Sequence, residues 1–339
     1  MLSKHVTSTV TLQRKSSEPV MRPRPELQWE RGAVLNAALV KDGDTYHTLY
    51  RAINHEAGWS EQNRGTYESS IGFAKSQDGL TWEANVEPVV PFGFVGDYEA
   101  EDPRVTRIGD IYYMTYCLYS ISEGIPVPGY SVSKDLLHWE HKGELVPYES
   151  CGINKNAVLF PEKIDDKFVL MHRPECQAFK HLPFTDFDWR TWSRFNEMSE
   201  EQSPGITLSV SKDLKEWTET EIIMQPRKDC WDNYKVGPGA PPIATEKGWL
   251  VVYHGVDTNH VYRLGLAMLD KDNPKRVIAR QKECLLEPEL DWEKNGDVPN
   301  VVFTCGAVLE DNTLKVLYGG ADRVLGWAEA DVSAFIASC

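Results

Sequence analysis

The sequence has no apolar run approaching the ~20 residues that a membrane-spanning helix needs. Its opening stretch, MLSKHVTSTVTLQRKSSEPVMRPRPELQ, lacks the hydrophobic segment of a secretory signal. Paired cysteines are missing too. The seven that occur (Cys117, Cys151, Cys176, Cys230, Cys284, Cys305, Cys339) are odd in number and scattered, with no CxxC pair, which excludes a disulfide framework and a zinc-ribbon site. A reduced, cytoplasmic setting with no membrane partner is expected. Positive charge is in short supply, 36 Lys and Arg against 51 Asp and Glu, a net charge of −15. That balance argues against a nucleic-acid partner, because general binding to a phosphate backbone needs basic surface. A local cationic pocket stays open, since local field and net charge are separate quantities. No motif asks for a metal or an organic cofactor.

What is present is repetition. One pattern, a strand, a tight polar turn and a second strand, occurs five times: NAALVKDGDTYHTLYRA from Asn36, DPRVTRIGDIYYMTY from Asp102, NAVLFPEKIDDKFVLMHRP from Asn156, GAPPIATEKGWLVVYHG from Gly239 and CGAVLEDNTLKVLYGGAD from Cys305. Apolar residues flank turns of Gly, Asp, Asn, Glu and Lys, the signature of a β-hairpin. Copies at intervals of roughly 55 to 80 residues predict an all-β fold, a five-bladed β-propeller forming one domain. A chain of 339 residues can bury the core this requires. The propeller is expected over residues 31–339, with residues 1–30 a polar arm packing on it or extending from it. Such an arm offers a means of bridging subunits in a homo-oligomer.

A second repeat is interleaved with the first, in Ser76-Gln77-Asp78-Gly79-Leu80-Thr81-Trp82, Ser133-Lys134-Asp135-Leu136-Leu137-His138-Trp139 and Ser211-Lys212-Asp213-Leu214-Lys215-Glu216-Trp217. Ser and Asp supply turn chemistry, and each Trp is expected to pack between neighbouring sheets. These read as outer hairpins with no catalytic part.

A propeller gathers its inner strands around one axis, so the ends of the five hairpins should share a pocket. They carry Asn36 and Arg51; Glu99, Glu101, Asp102 and Arg104; Asn154, Lys155, Asn156, His172 and Arg173; Tyr234, Lys235 and His254, with Tyr262 and Arg263 beyond; and Asn300 and Asp322. Carboxylates and amides beside aromatic rings suit sugar hydroxyls. Converging Lys, Arg and His suit phosphate oxygens. A sugar site beside a phosphate site suggests phosphorolysis, with phosphate in the place of water as nucleophile.

The blocks EDPRV, KNAVLFPEK, HRP, GPGAPPI, YHGV and VVFTCGA followed by YGGAD resemble glycoside hydrolase family 130, the β-mannoside phosphorylases and related β-mannosidases, from about Asn36 to Asp322. The resemblance implies a five-bladed propeller and an inverting β-mannoside phosphorylase. Asp102 matches the acid, thought to protonate the 3-hydroxyl of the departing mannosyl unit, which passes its own proton to the glycosidic oxygen. Phosphate, a co-substrate rather than a cofactor, attacks the anomeric carbon from the opposite face and yields α-mannose 1-phosphate. Lys155, Asn156, Arg173, Lys235, His254 and Tyr262 fall on phosphate-holding positions, and Asn36, Arg51 and Asp322 on sugar-holding ones. Arg104, in the same block as the acid, is counted with the substrate-binding residues. Some members carry Arg where this chain has Lys155, which exchanges a bidentate fork for a point charge.

A free Asp titrates near 4, below the working range of a general acid, and crowding by Glu99 and Glu101 would raise Asp102. An inverting hydrolase would need a second carboxylate about 6.5–9.5 Å from the acid. Asp322 and Glu162 are the candidates. Rival readings are a β-mannosidase of the same family, a non-catalytic carbohydrate-binding propeller, and a carbohydrase of the arabinanase or invertase type, which would place an Asp where Asn36 stands. The aromatic and acidic segment from Pro183 to Pro204 breaks the hairpin rhythm. It reads equally as a lid using Trp189 or Trp192 against a sugar ring or as a surface excursion.

Overall fold

Each of the five hairpins forms, and each grows outward into its own sheet. The computed structural model describes residues 9–55, 67–96, 98–120, 126–145, 154–174 and 205–339. The segment from Pro183 to Pro204, with Trp189 and Trp192, lies outside the described residues. After β1 (Gln13–Arg14), the first blade is β2 (Ala33–Asp42), β3 (Thr45–Ile53), β4 (Ser69–Ser76) and β5 (Glu83–Ala84). The second is β6 (Tyr98–Ile108), β7 (Ile111–Ser120), β8 (Pro126–Ser133) and β9 (Glu140–Glu144). The third is β10 (Asn154–Leu159), β11 (Phe168–Pro174), β12 (Ile206–Ser211) and β13 (Thr218–Met224). The fourth has β14 (Lys235–Pro238), β16 (Gly248–Val256), β17 (Tyr262–Asp270) and β18 (Val277–Arg280), with the short β15 (Ile243–Ala244) also on β16. The fifth is β19 (Val302–Glu310), β20 (Thr313–Gly320) and β21 (Val324–Asp331), and its outer edge is taken by β1.

That last pairing closes the ring. Gln13 lies opposite Glu329 and Arg14 opposite Ala328, so a strand from within residues 1–30 is part of the fifth blade. Arg14 is fastened at its head as well, to Glu293 at 2.7 Å beneath the short helix α1 (Asp291–Lys294), and Tyr318 Oη donates to the same carboxylate at 2.8 Å.

The core lies between sheets rather than within any one of them. Ile71, Leu49, Met114 and Leu118 pack between the first and second blades, and Leu145, Leu159 and Leu170 between the second and third. Met171, Leu208, Trp249 and Val251 join the third to the fourth, and Leu250, Leu266, Val316 and Phe335 the fourth to the fifth. Leu39, Tyr50, Leu317 and Trp327 close the fifth onto the first. Each blade buries both faces against its neighbours, the means by which a radial array hides a row of small sheets from water.

The Ser-x-Asp-x-x-x-Trp repeat is turn architecture. Ser76 Oγ accepts the amides of Asp78 and Gly79, Asp78 Oδ1 accepts those of Leu80 and Thr81, and Trp82 Nε1 donates to the Gly79 carbonyl. The Ser133 and Ser211 copies repeat the same serine and aspartate bonds. Trp82, Trp139 and Trp217 each pack between adjacent blades.

Candidate active site

The site begins with a fault repeated in the inner strands. Between Leu35 and Ala38, Glu101 and Arg104, and Lys155 and Val158 the inner strand holds one more residue than its partner, and a similar shift occurs between Thr304 and Gly306. Each is a β-bulge, which bends the strand and re-aims a side chain. In the first three blades the bulge falls on Asn36, Asp102 and Asn156, with φ of 47°, 55° and 59°. This left-handed region is tolerated by Asn and Asp better than by other side chains. Hairpin logic misses the bulges, although the sequence carries their signal. A small or turn-forming residue followed by Ala or Pro stands inside each run: Asn36-Ala37, Asp102-Pro103 and Asn156-Ala157.

Two walls result. On the acid wall Asn36 Nδ2 donates to Asp102 Oδ1 at 2.8 Å, and Arg51 Nη1 lies 3.6 Å from the same oxygen. Among the described residues nothing donates to Oδ2 of Asp102. Arg51 is itself positioned by Glu101, 2.7 Å from its Nη2, and by Ser69 Oγ, 3.1 Å from its Nε. A buried cation therefore stands among the carboxylates, which the expectation of crowding by Glu99 and Glu101 alone did not include. Asp322 completes this wall from the corner after β20, again at positive φ, 54°. It is half-buried. Burial, then the charge of Asp102, pushes its carboxyl up to about 7, with Arg51 opposing.

The second wall is cationic. Arg173 and Lys235 are buried, and His254 is enclosed with them. His254 Nε2 accepts from Arg173 Nη1 at 3.2 Å, an assignment that puts the ring proton on Nδ1. Tyr262 stacks on the His254 ring with centroids 6.3 Å apart, and Lys235 Nζ lies 5.1 Å over the Tyr262 ring. Burial, followed by the charges of Arg173, Arg104 and Lys235, holds His254 well below the usual histidine pKa. Asn156 reaches the same place. A Cβ added at Gly237 would lie 3.2 Å from Asn156 Oδ1 and 2.6 Å from His254 Nε2, so only glycine leaves room for that approach. Lys155, on β10, joins the walls, its Nζ 3.9 Å from Glu101 Oε2.

Three expectations change. Arg104, counted as a substrate ligand, spends its guanidinium on three backbone carbonyls, those of Gly239, Asp102 and Pro238, and is 1 % exposed. It is a brace that ties the second blade's bulge to the fourth blade. Arg263 pairs with Asp257 and Glu287 at 2.8 and 3.1 Å and takes no place in either wall. Glu162 is exposed in the turn between β10 and β11 and supplies no second carboxylate. One residue was missed as part of the site, Phe303, and Glu101, read as a charge crowding Asp102, is the ion-pair partner of Arg51. Phe303 packs 4.6 Å from the His254 ring and 5.9 Å from the Arg104 guanidinium. Its signal was its place in the VVFTCGA block. His172, by contrast, is buried between Asn154 and Ser209, its pKa pushed down to about 3 by burial, and serves the packing of the third blade.

The fold is a five-bladed β-propeller that gathers an acidic wall and a cationic wall at the inner ends of its blades. The family model described as "beta-1,4-mannooligosaccharide phosphorylase" matches residues 30–339, and the chain belongs to that family, glycoside hydrolase family 130. It is 39 % identical to a 1,2-beta-oligomannan phosphorylase of Thermoanaerobacter sp. (strain X514), over 94 % of this chain and 97 % of that one. It is 40 % identical to a beta-1,2-mannobiose phosphorylase of the same organism, over 94 % and 96 %. The beta-1,2-mannobiose phosphorylase of Listeria innocua, solved with beta-1,2-mannobiose, superposes with a TM-score of 0.78 at 25 % identity, covering 96 % of this chain and 98 % of that one. Among the described residues no helix is long and apolar enough to cross a membrane.

Proposed function

We propose that this chain is an inverting β-mannoside phosphorylase that cleaves β-1,2-linked mannosides with inorganic phosphate and releases α-mannose 1-phosphate. The observation that carries the reading is the pairing of walls. Asp102, one oxygen of which is unengaged among the described residues, and a buried set of Arg173, Lys235 and a neutral His254 both stand at the inner ends of the blades. Phosphate matches this set in charge and in the number of its acceptor oxygens.

Asp102 gives up its proton, through the 3-hydroxyl of the bound mannosyl unit, to the glycosidic oxygen as the bond from that oxygen to the anomeric carbon breaks. A phosphate oxygen forms the new bond to that carbon from the opposite face. Phosphate arrives ionised, so no protein base is needed to activate it. Asn36 and Arg51 hold Asp102 in place, and Asp322 faces the sugar hydroxyls. The β-1,2 linkage rests on the two Thermoanaerobacter relatives, both phosphorylases of β-1,2-linked mannosides, which match nearly end to end. Among the described residues Cys117, Cys230, Cys284 and Cys305 are free thiols, in keeping with a cytoplasmic setting.

The test is to incubate the enzyme with β-1,2-mannobiose with and without phosphate and to identify the products. Mannose 1-phosphate formed only when phosphate is present is the expected result. Equal cleavage in both, giving free mannose alone, would make the chain a hydrolase.

A further inference from the structure

Three blades carry the same group of side chains behind the site. A Trp-acid pair stands before the innermost strand of each: Trp29-Glu30, Trp231-Asp232 and Trp292-Glu293. The acid is buried and accepts from a tyrosine on the strand beside the innermost one. Glu30 accepts from Tyr50 at 2.8 Å, Asp232 from Tyr253 at 2.9 Å and Glu293 from Tyr318 at 2.8 Å. Arginine answers the charge each time, as Arg24, as Arg227 with Arg280, and as Arg14. The Trp stacks on the Tyr ring, with centroids 6.2, 5.8 and 5.8 Å apart. The Tyr ring in turn lies across the glycine opposite it in register, Gly72, Gly265 or Gly326, where an added Cβ would come within 2.3, 2.3 and 2.6 Å of the ring.

Two of these latches stand directly behind a wall of the site. Tyr50 is followed by Arg51, and Tyr253 by His254. Successive residues of a strand point to opposite faces. A phenol held both at its ring and at its hydroxyl therefore fixes the rotation of the strand that carries the next side chain. In the fourth blade the same acid also meets the backbone beyond His254. An added Cβ at Gly255 would lie 2.4 Å from Asp232 Cβ and 2.6 Å from the Trp231 ring. Asp232 itself stands just before β14, which opens at Lys235 and pairs with β16. Its bonds thus bear on both strands that supply the cationic wall, although its side chain is fully buried.

We propose that Asp232 and Tyr253 are positioning residues for the phosphate-binding wall, and Glu30 and Tyr50 for the acid wall, each latch acting on the part of the site its own blade supplies. This rests on the reading of Lys235 and His254 as phosphate ligands and of Arg51 as the residue that holds Asp102 and the sugar.

The experiment compares Tyr253→Phe with Tyr50→Phe in steady-state phosphorolysis, each substrate varied in turn, beside their urea midpoints. Phenylalanine keeps the ring between its glycine and its tryptophan and removes the bond to the acid. Tyr253→Phe should raise the KM for phosphate by roughly 3- to 10-fold, short of the ~100-fold that a misplacement of about 1 Å can cost. Its kcat/KM for mannoside should change by less than about 2-fold. Tyr50→Phe should show the opposite split, with kcat/KM for mannoside lower by roughly 3- to 10-fold and the phosphate KM held within about 2-fold. Asp232→Asn leaves two arginines without their counter-charge and should raise the phosphate KM further, and Tyr253→Phe carries the test if that variant does not fold. Equal changes in both constants in both phenylalanine variants, or lower midpoints with neither constant moved, would make the latches scaffold alone and overturn this proposal. A phosphate KM unmoved by Lys235→Met, or phosphate-independent cleavage by the wild type, overturns the reading of the cationic wall and this proposal with it.

Discussion

At the scale of single residues, the two walls should separate in kinetics. Lys235 is buried beside the Tyr262 ring in the cationic wall. Lys235→Met keeps most of its volume and removes its charge. The KM for phosphate should rise by about 10- to 100-fold, the worth of a charge-assisted hydrogen bond, while the KM for mannoside changes by less than about 2-fold. Initial rates with each substrate varied in turn would show it, and a matching rise in both constants would contradict the assignment.

Asp322 supports a prediction about pH. Its carboxyl is raised to about 7 in the folded protein from an ordinary value of 3.8. Between those two values the folded state binds more protons at this site than the unfolded state does, so stability falls as pH rises through the interval and levels off above it. The full difference corresponds to about 4 kcal/mol as an upper bound. Asp322→Asn should therefore be more stable than the wild type at pH 8 and show little gain at pH 4, measured as urea midpoints. An equal gain at both pH values would mean that the carboxyl is not raised.

At the scale of elements, the hairpins were legible in the sequence because alternation around a polar turn is a local property. Their ends marked the right segments, since a propeller turns strand order into position around an axis. The bulges were not legible by alternation, which assumes that each residue faces one partner. Arg104 shows a second limit. Its block predicts a residue at the site, but whether a guanidinium faces the cavity or three carbonyls depends on how the second and fourth blades approach each other. The β1 strand escaped notice because two residues show no periodicity, and their partner is more than 300 positions away. Gly237 tests the geometry of an element directly. An alanine there would press on His254 and Asn156. Overpacking of this kind costs about 1–3 kcal/mol. Gly237→Ala should raise the KM for phosphate more than the KM for mannoside, together with a lower urea midpoint. A variant with the lower midpoint alone would show that the approach has no part in binding.

At the scale of the whole molecule, ring closure depends on Arg14. Glu293 is fully buried and takes its charge partner from β1. Arg14→Leu leaves that carboxylate with Tyr318 and the amides of Glu289 and Leu290 but no cation. Losing one partner of a buried pair costs about 3 kcal/mol. The neighbouring pair of Arg22 with Glu18 is exposed on both sides, and Arg22→Leu should cost less than about 1 kcal/mol. Urea denaturation of the two variants compares them, and equal losses would remove β1 from the account of stability.

The pairing of β1 with β21 also orders events in time. Gln13 leaves the ribosome long before Glu329, the residue it must lie beside. Until the last blade emerges, the outer edge of that blade does not exist, and the strand made first has no partner. The earlier blades can assemble as they are synthesised, but the circle is completed only once Glu329 has emerged. Contacts of such long sequence separation form slowly. New chain ends placed in an exposed turn between blades, with Gln13 and Glu329 kept on one continuous segment, would make that last clasp a local event and should shorten the slow phase of refolding.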